Sequence, residues 1–404
     1  MSPETAKRLS AALDEAGEHH PVLVIDAERL DANADALAAM LEGKRLRLVD
    51  KSLPCADLLA RIAERTGANA FMSFHAPYLI QTARAFPDSD ILLGKPLPAA
   101  AIDAVYGALS QSPFDPQGQI IWLADTPQRV ADYAARARAL GTRPKLALEI
   151  DVGLRRGGAG DAGAFDVLLD AVEAEQDAVR LAGLMGYDAQ AAKAPLSSPA
   201  RAVAQSDQVY RGFAERARER GLLGEDAILN GAGSPTAPLH GNTVINDVSI
   251  GSAFVKPTDF DLPQLDALRP AAFIATPILK RLPGVRVPFV ERITNAFSGG
   301  RDTVFLYGGR WMAQPVWPDA MRENALYGLS SNQQMMTLPR SDPAGPGDWA
   351  FLRPTQSEAV LAQFGRPRLI EDDAVTRRWD VYAPEVSDGS APAQIASSPR
   401  AASA

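Results

Sequence analysis

The stretch RLRLVDKSLPCADLLARIAERTGANAFMS, residues 45–73, contains one complete structural unit. RLRLV (45–49) is a short apolar run of strand type. ADLLARIAERTG (56–67) then has apolar residues every three or four positions and stops at a glycine, as an amphipathic helix does. ANAFM (68–72) opens a second strand of the same kind. Strand, helix and strand in this order predict parallel strands covered by a helix.

Working outward, the unit recurs. Apolar runs appear at DILLG (90–94), QIIWL (119–123), KLALEID (145–151), RLAGLMGY (180–187), DAILN (226–230) and INDVSIGS (245–252), with helical stretches such as PQRVADYAARARALG (127–141) between them. With VLVID (22–26) set aside as a lead-in, eight strands remain. Eight apolar strands covered by helices in roughly 250 residues fit a closed (β/α)8 TIM-type barrel better than an open sheet. The pattern changes after about residue 265. PILKRLPGVRVPFVERI, TVFLYGG, DWAFLRPTQSEAVLAQFG and LIEDDAVTRRWDVY are β-type runs broken by Pro, Gly and Asp, so a second, mostly β domain is expected. The expected division is a helical lead-in over 1–20, the barrel over 21–262, the β domain over 263–385 and a disordered Ser/Ala/Pro-rich tail over 386–404.

The 404 residues carry 41 Lys+Arg against 49 Asp+Glu, a formal charge of −8. That balance argues against binding the phosphate backbone of nucleic acids. No run approaches the ~18 apolar residues of a membrane span. MSPETAKRLSAALDEAGEHH shows no apolar core of a secretory signal, so a cytoplasmic protein is expected. The single cysteine, Cys55, rules out an intramolecular disulfide and reads as a small core residue.

A barrel of this type gathers its chemistry at the C-terminal ends of its strands. Lys51 follows the first barrel strand, EIDVGLRRGG (149–158) leaves the fifth, Tyr187 the sixth and NGAGSPT (230–236) the seventh, while Gly251 and Ser252 end the eighth. A buried lysine at a strand end suits Schiff-base chemistry, which needs a neutral amine near pH 7. A solvated lysine at a strand terminus is the alternative. Asn230-Gly231-Ala232-Gly233-Ser234 reads as a phosphate cradle with Ser234 or Thr236 as hydroxyl donor, or as an ordinary turn. Of Arg155 and Arg156, one is expected to turn inward toward a ring nitrogen or carboxylate, unless both are solvated. Tyr187 is a ring neighbour or a half-buried rim residue. His75, in FMSFHAPYL, is a candidate at a strand exit, and His240 is expected to be a satisfied structural histidine.

Together, PVLVIDAERLDANADAL, RLVDKSL, EIDVGLRRGG, LMGYDAQ, NGAGSPT and DVSIGSAFV resemble the fold-type III pyridoxal-phosphate enzymes, in the subgroup of D-threonine aldolase and D-serine dehydratase. Their barrel is similar to the N-terminal domain of alanine racemase. The resemblance runs from about residue 20 to 260 and more weakly to about 382. It implies pyridoxal 5'-phosphate as cofactor, with Lys51 as its Schiff-base lysine. Gly231, Gly233, Ser234, Gly251 and Ser252 would then line the phosphate, and Tyr187 and Arg156 would sit near the ring. It also implies a small amino-acid substrate and a homodimer.

The C-terminal half departs from this family. Relatives carry a metal site with histidine in a stretch like GLSEEHG and in PxHxC or PxHxD. Here GLSSNQQ (328–334) puts Gln333, and PTQSE (354–358) puts Gln356 and Glu358, at those positions. An amide and a carboxylate offer oxygen only, so a tight zinc site is not expected, with weak Mg²⁺ or Mn²⁺ binding the most such donors suit. His75, Gln333 and Glu358 are then the candidates to handle a substrate hydroxyl. The expected activity is a lyase on a D-3-hydroxy amino acid, of aldolase or dehydratase type. The alternatives are an amino-acid racemase or epimerase, and a pyridoxal-phosphate-binding protein without turnover.

Overall fold

A computed structural model describes residues 1–284, 300–324 and 328–385. The expected tail and the stretch VRVPFVERI of the β half lie outside them. Helix α1 (Pro3–Glu15) comes first, capped by the Ser2 hydroxyl. Strand β1 (Val22–Asp26) then leads into α2 (Ala27–Met40), whose N-terminus is capped by the Asp26 carboxylate.

The barrel closes with eight strands: β2 (Arg45–Val49), β3 (Ala70–Ser73), β4 (Asp90–Leu93), β5 (Ile120–Ala124), β6 (Lys145–Glu149), β7 (Arg180–Gly186), β8 (Ile228–Gly231) and β9 (Asp247–Ile250). All pair in parallel, and β9 returns to β2 with Arg45 opposite Asp247. Helix α3 (Ala56–Thr66) stops at Gly67 and the helix Pro127–Leu140 stops at Gly141, both in the left-handed conformation glycine adopts at no steric cost. Helix α4 (Ala76–Ala85) follows β3.

Three short 3-10 turns between Ser252 and Leu265 carry the chain out of the barrel to β10 (Ala272–Leu282). The remaining strands are β11 (Arg301–Tyr307), β12 (Ala313–Trp317), β13 (Arg322–Glu323), β14 (Gln333–Pro339), β15 (Trp349–Pro354), β16 (Arg368–Glu371) and β17 (Ala374–Arg378). They form a separate sheet in the order β13-β14-β11-β10-β1-β16-β17, with β15 bridging β10 and β12. VLVID, read as a lead-in to the barrel, is the centre of this second sheet. It pairs antiparallel with β10 and parallel with β16. All five of its residues are buried, so it packs as a central strand even though it precedes the barrel in sequence. Among the described residues no helix is long and apolar enough to cross a membrane.

Alternation along β2 sends Arg47, Val49 and Lys51 inward and Asp50 outward under α4. Asp50 is fully buried there, with Oδ2 3.2 Å from the Thr82 hydroxyl, itself 3.1 Å from the Tyr382 hydroxyl. Burial pushes the Asp50 carboxyl up to about 7. Between its ordinary value and about 7 the folded chain keeps a proton that the unfolded chain has released. Stability contributed here is therefore present at low pH and lost as pH rises through that window, by up to about 4 kcal/mol. Asp50→Asn is expected to raise the urea midpoint relative to wild type at about pH 8 and to give a clearly smaller gain at about pH 5. Equal gains at both pH values would contradict this account.

Candidate functional site

At the C-terminal mouth of the barrel lies a cavity of about 610 Å³, including the part open to solvent. Lys51, Arg156, Tyr187, Gly233, Ser234, Gly251, Ser252 and Glu358 all line it. The strand-exit rule places the first seven, each in the segment that leaves a barrel strand. Glu358 comes from the loop after β15 of the other sheet.

Lys51 Nζ lies 3.9 Å from Glu358 Oε1 and 4.3 Å from the centre of the Phe74 ring. Its side chain is 41% exposed, so the amine is less buried than the Schiff-base expectation assumed. The reason is its position at the rim, where Glu358 and Phe74 are its close neighbours.

The small-residue turn and the end of β9 are tied together. Ser234 Oγ accepts the backbone N–H groups of Gly251 at 3.3 Å and Ala253 at 3.1 Å. A Cβ at Gly233 would come 2.5 Å from the Tyr187 ring, and one at Gly251 would come 2.6 Å from the Ser52 Cβ. Only glycine permits this approach. Ala232, directly before Gly233, adopts φ +58°, a conformation costly for a residue with a Cβ. Gly231 packs against Ile245 and is not among the lining residues. The glycine-lined turn with its serine hydroxyl therefore fits a phosphate group, and Lys51 opens into the same cavity.

Arg156 stacks over Tyr187, with its guanidinium carbon 5.1 Å from the ring centre. Arg155 takes the left-handed conformation, φ +57°, while the Asp151 carboxylate holds its backbone N–H at 2.9 Å. The turn therefore delivers one arginine to the cavity, Arg156. Burial raises the Tyr187 hydroxyl above its ordinary value, with Arg156 opposing.

The floor is polar and buried. Asn230 Nδ2 donates to Asp247 Oδ1 at 2.6 Å and to Ser249 Oγ at 2.8 Å. Beneath it Arg47, with no exposed surface, donates twice to Asp247 at 2.9 and 2.7 Å and once to Asp90 at 2.5 Å. Burial alone would lower the Arg47 guanidinium, but the two carboxylates outweigh it and hold it above its ordinary value.

Other candidates fall elsewhere. His75 is exposed at the start of α4, stacked edge-on to Tyr78, and is not among the lining residues. Phe74, one position earlier, is. Gln333 sits on β14, where its Oε1 accepts Lys280 Nζ at 2.9 Å, and it too is not among the lining residues. Gln356 donates to Asp259 at 3.2 Å and lines an adjoining cleft with Glu358. Among the described residues no group of three His, Cys, Asp or Glu side chains is placed to hold a metal ion. His240 is a satisfied structural histidine, with Nε2 2.8 Å from Asp188 Oδ2 and Nδ1 3.1 Å from Thr243 Oγ1. Cys55 is buried, and burial pushes its thiol up to about 12. Sequence reading missed Phe74, Ser249, Phe260 and Ser357. Alternation from Gly251 points to Ser249, but nothing local marks the other three.

The fold has relatives among solved structures. D-threonine aldolase from Filomicrobium marinum superposes with a TM-score of 0.72 at 18% identity, covering 90% of this chain and 94% of that one. D-threo-3-hydroxyaspartate dehydratase from Delftia sp. HT23 gives 0.69 at 17%, covering 89% and 97%. An alanine racemase from Clostridium difficile 630 gives 0.68 at 15%, covering 90% and 98%. At these identities the likeness is one of fold. No curated protein matches the sequence. The profile described as "Alanine racemase, N-terminal domain" matches residues 25–258, more than half of the sequence and all eight barrel strands, and the chain therefore belongs to that family.

Proposed function

We propose that the chain is a pyridoxal-phosphate-dependent lyase acting on a D-configured 3-hydroxy amino acid, as an aldolase or a dehydratase. The observation that carries this reading is the meeting of Glu358 and Lys51 in a cavity built on a glycine-lined turn. Lys51 would hold the cofactor covalently, and Gly233, Ser234, Gly251 and Ser252 would take its phosphate. Tyr187 and Arg156 would flank the ring. When bound, the cofactor supplies an electron sink for the bond broken at Cα.

The rest falls to side chains. Lys51 Nζ is the amine placed to move a proton at the reacting carbon. Glu358, facing it, is the candidate to take or give the proton of the substrate's 3-hydroxyl. Of the three groups suggested for that task, Glu358 alone lines the cavity. The Gln356 amide and the Glu358 carboxylate offer a metal only oxygen, which supports a reading without a tight metal site. The same reading includes a homodimer in the cytoplasm.

Incubation with D-threonine and D-serine tests the class. Glycine with an aldehyde, or a keto acid with ammonia, is expected. Solvent deuterium at Cα with inversion and neither product would establish a racemase instead, and no reaction at all would favour a carrier. Glu358→Gln is expected to lower kcat by about 100-fold or more, the scale of a lost general acid–base group. Unchanged turnover in that variant would remove Glu358 from the chemistry.

A further inference from the structure

We propose that Glu358 is the resident anion of the phosphate cradle, and that a phosphate group enters only by displacing it. One carboxylate touches both the lysine and a pair of serines. Oε1 is 3.9 Å from Lys51 Nζ, and Oε2 is 3.2 Å from both the Ser252 and Ser357 hydroxyl oxygens. Ser252 and Ser357 are themselves 2.8 Å apart, and Ser357 has no exposed surface.

The two cradle serines differ in consequence. Ser234 Oγ accepts two backbone N–H groups, which leaves its own proton free for an incoming anion. Ser252 has one proton, and Glu358 Oε2 and Ser357 Oγ are its partners. A phosphate oxygen needing that proton competes with a carboxylate already placed for it. Repulsion adds to the competition, because a phosphate ester near pH 7 carries close to two negative charges. Among the described residues Lys51 and Arg156 are the two cations that line the cavity, and Glu358 engages the first. Glu358 and Ser357 belong to the second sheet's loop and Ser252 to the barrel, so the contact also fastens the two halves across the site.

Identifying the ester as pyridoxal phosphate rests on the proposed function, whereas competition for inorganic phosphate does not. The test uses the full chain freed of cofactor. Calorimetric titration with inorganic phosphate is expected to give at least about tenfold tighter binding in Glu358→Gln than in wild type. Ser357→Ala, which removes one of the hydroxyls holding the carboxylate, is expected to change in the same direction by less. Pyridoxal phosphate and pyridoxal, titrated by absorbance, separate phosphate competition from the effect on Lys51. The gain from Glu358→Gln should be several-fold larger for the phosphorylated compound. An unchanged phosphate constant in both variants, or equal gains for the two aldehydes, overturns the proposal. Failure of either aldehyde to react with wild type would sink the cofactor assignment, and the phosphate titration would still decide the role of Glu358. Tighter loading with slower turnover in Glu358→Gln would separate this role from the catalytic one.

Discussion

Lys51→Ala is expected to lose turnover by at least about a thousandfold, the scale of removing a covalent catalyst. It should also lose the borohydride-sensitive visible band of the protein reconstituted with pyridoxal phosphate. The fold should survive the change. The side chain is 41% exposed, and its ion pair with Glu358 spans 3.9 Å, a geometry worth about 1 kcal/mol or less in water. The thermal midpoint is therefore expected to stay within a few degrees of wild type. Loss of activity with intact stability is the signature sought, because a lysine that served only to hold the rim would show neither change. Retention of the band in Lys51→Ala would place the covalent link on another amine, and the proposed chemistry would fail with it.

The residues that sequence could place are those whose position follows from an exit rule. Lys51, Arg156, Tyr187, Gly233, Ser234, Gly251 and Ser252 each stand in the segment that leaves an apolar run, and a parallel barrel directs such segments to one rim. His75 shows how narrow that rule is. β3 ends at Ser73, Phe74 turns into the cavity, and His75 one step later begins α4 on the outside. A shift of one residue separates a lining side chain from a solvated one, and the apolar pattern does not resolve it. β1 was illegible for a different reason. Five buried apolar residues read alike in a barrel and in a second sheet, and the partners that decide, β10 and β16, lie about 250 residues or more downstream. Glu358 was visible only as a departure from a pattern. Its approach to Lys51 depends on how the second sheet packs on the barrel, which no local spacing encodes.

Arg47 is the case where two like residues in one strand diverge. Arg45 and Arg47 both interrupt the run RLRLV, yet Arg45 is exposed at the barrel's lower edge and Arg47 has no exposed surface. A guanidinium inside a barrel is tolerable only if its charge and donors are matched, and here they are. Asp247 takes two hydrogen bonds, Asp90 one, and the Phe71 carbonyl another at 2.8 Å. Arg45 pairs with the outer side of Asp90, so two arginines balance two aspartates. Arg47→Met is expected to cost about 3–5 kcal/mol in urea unfolding, because it strands Asp247 in the interior without a cation. Adding Asp247→Asn should recover part of that loss, since the second change removes the uncompensated charge that the first created. The damage should also reach the cavity. Asn230 and Ser249 line its floor, and Asn230 is oriented by donating to the same Asp247 carboxylate that Arg47 clamps. Arg47→Met alone should therefore weaken pyridoxal phosphate binding as well as the fold, although Arg47 is not among the residues that line the cavity. A variant within about 1 kcal/mol of wild type would mean that the barrel interior admits enough water to solvate Asp247, and the floor would then owe its geometry to packing and not to this clamp.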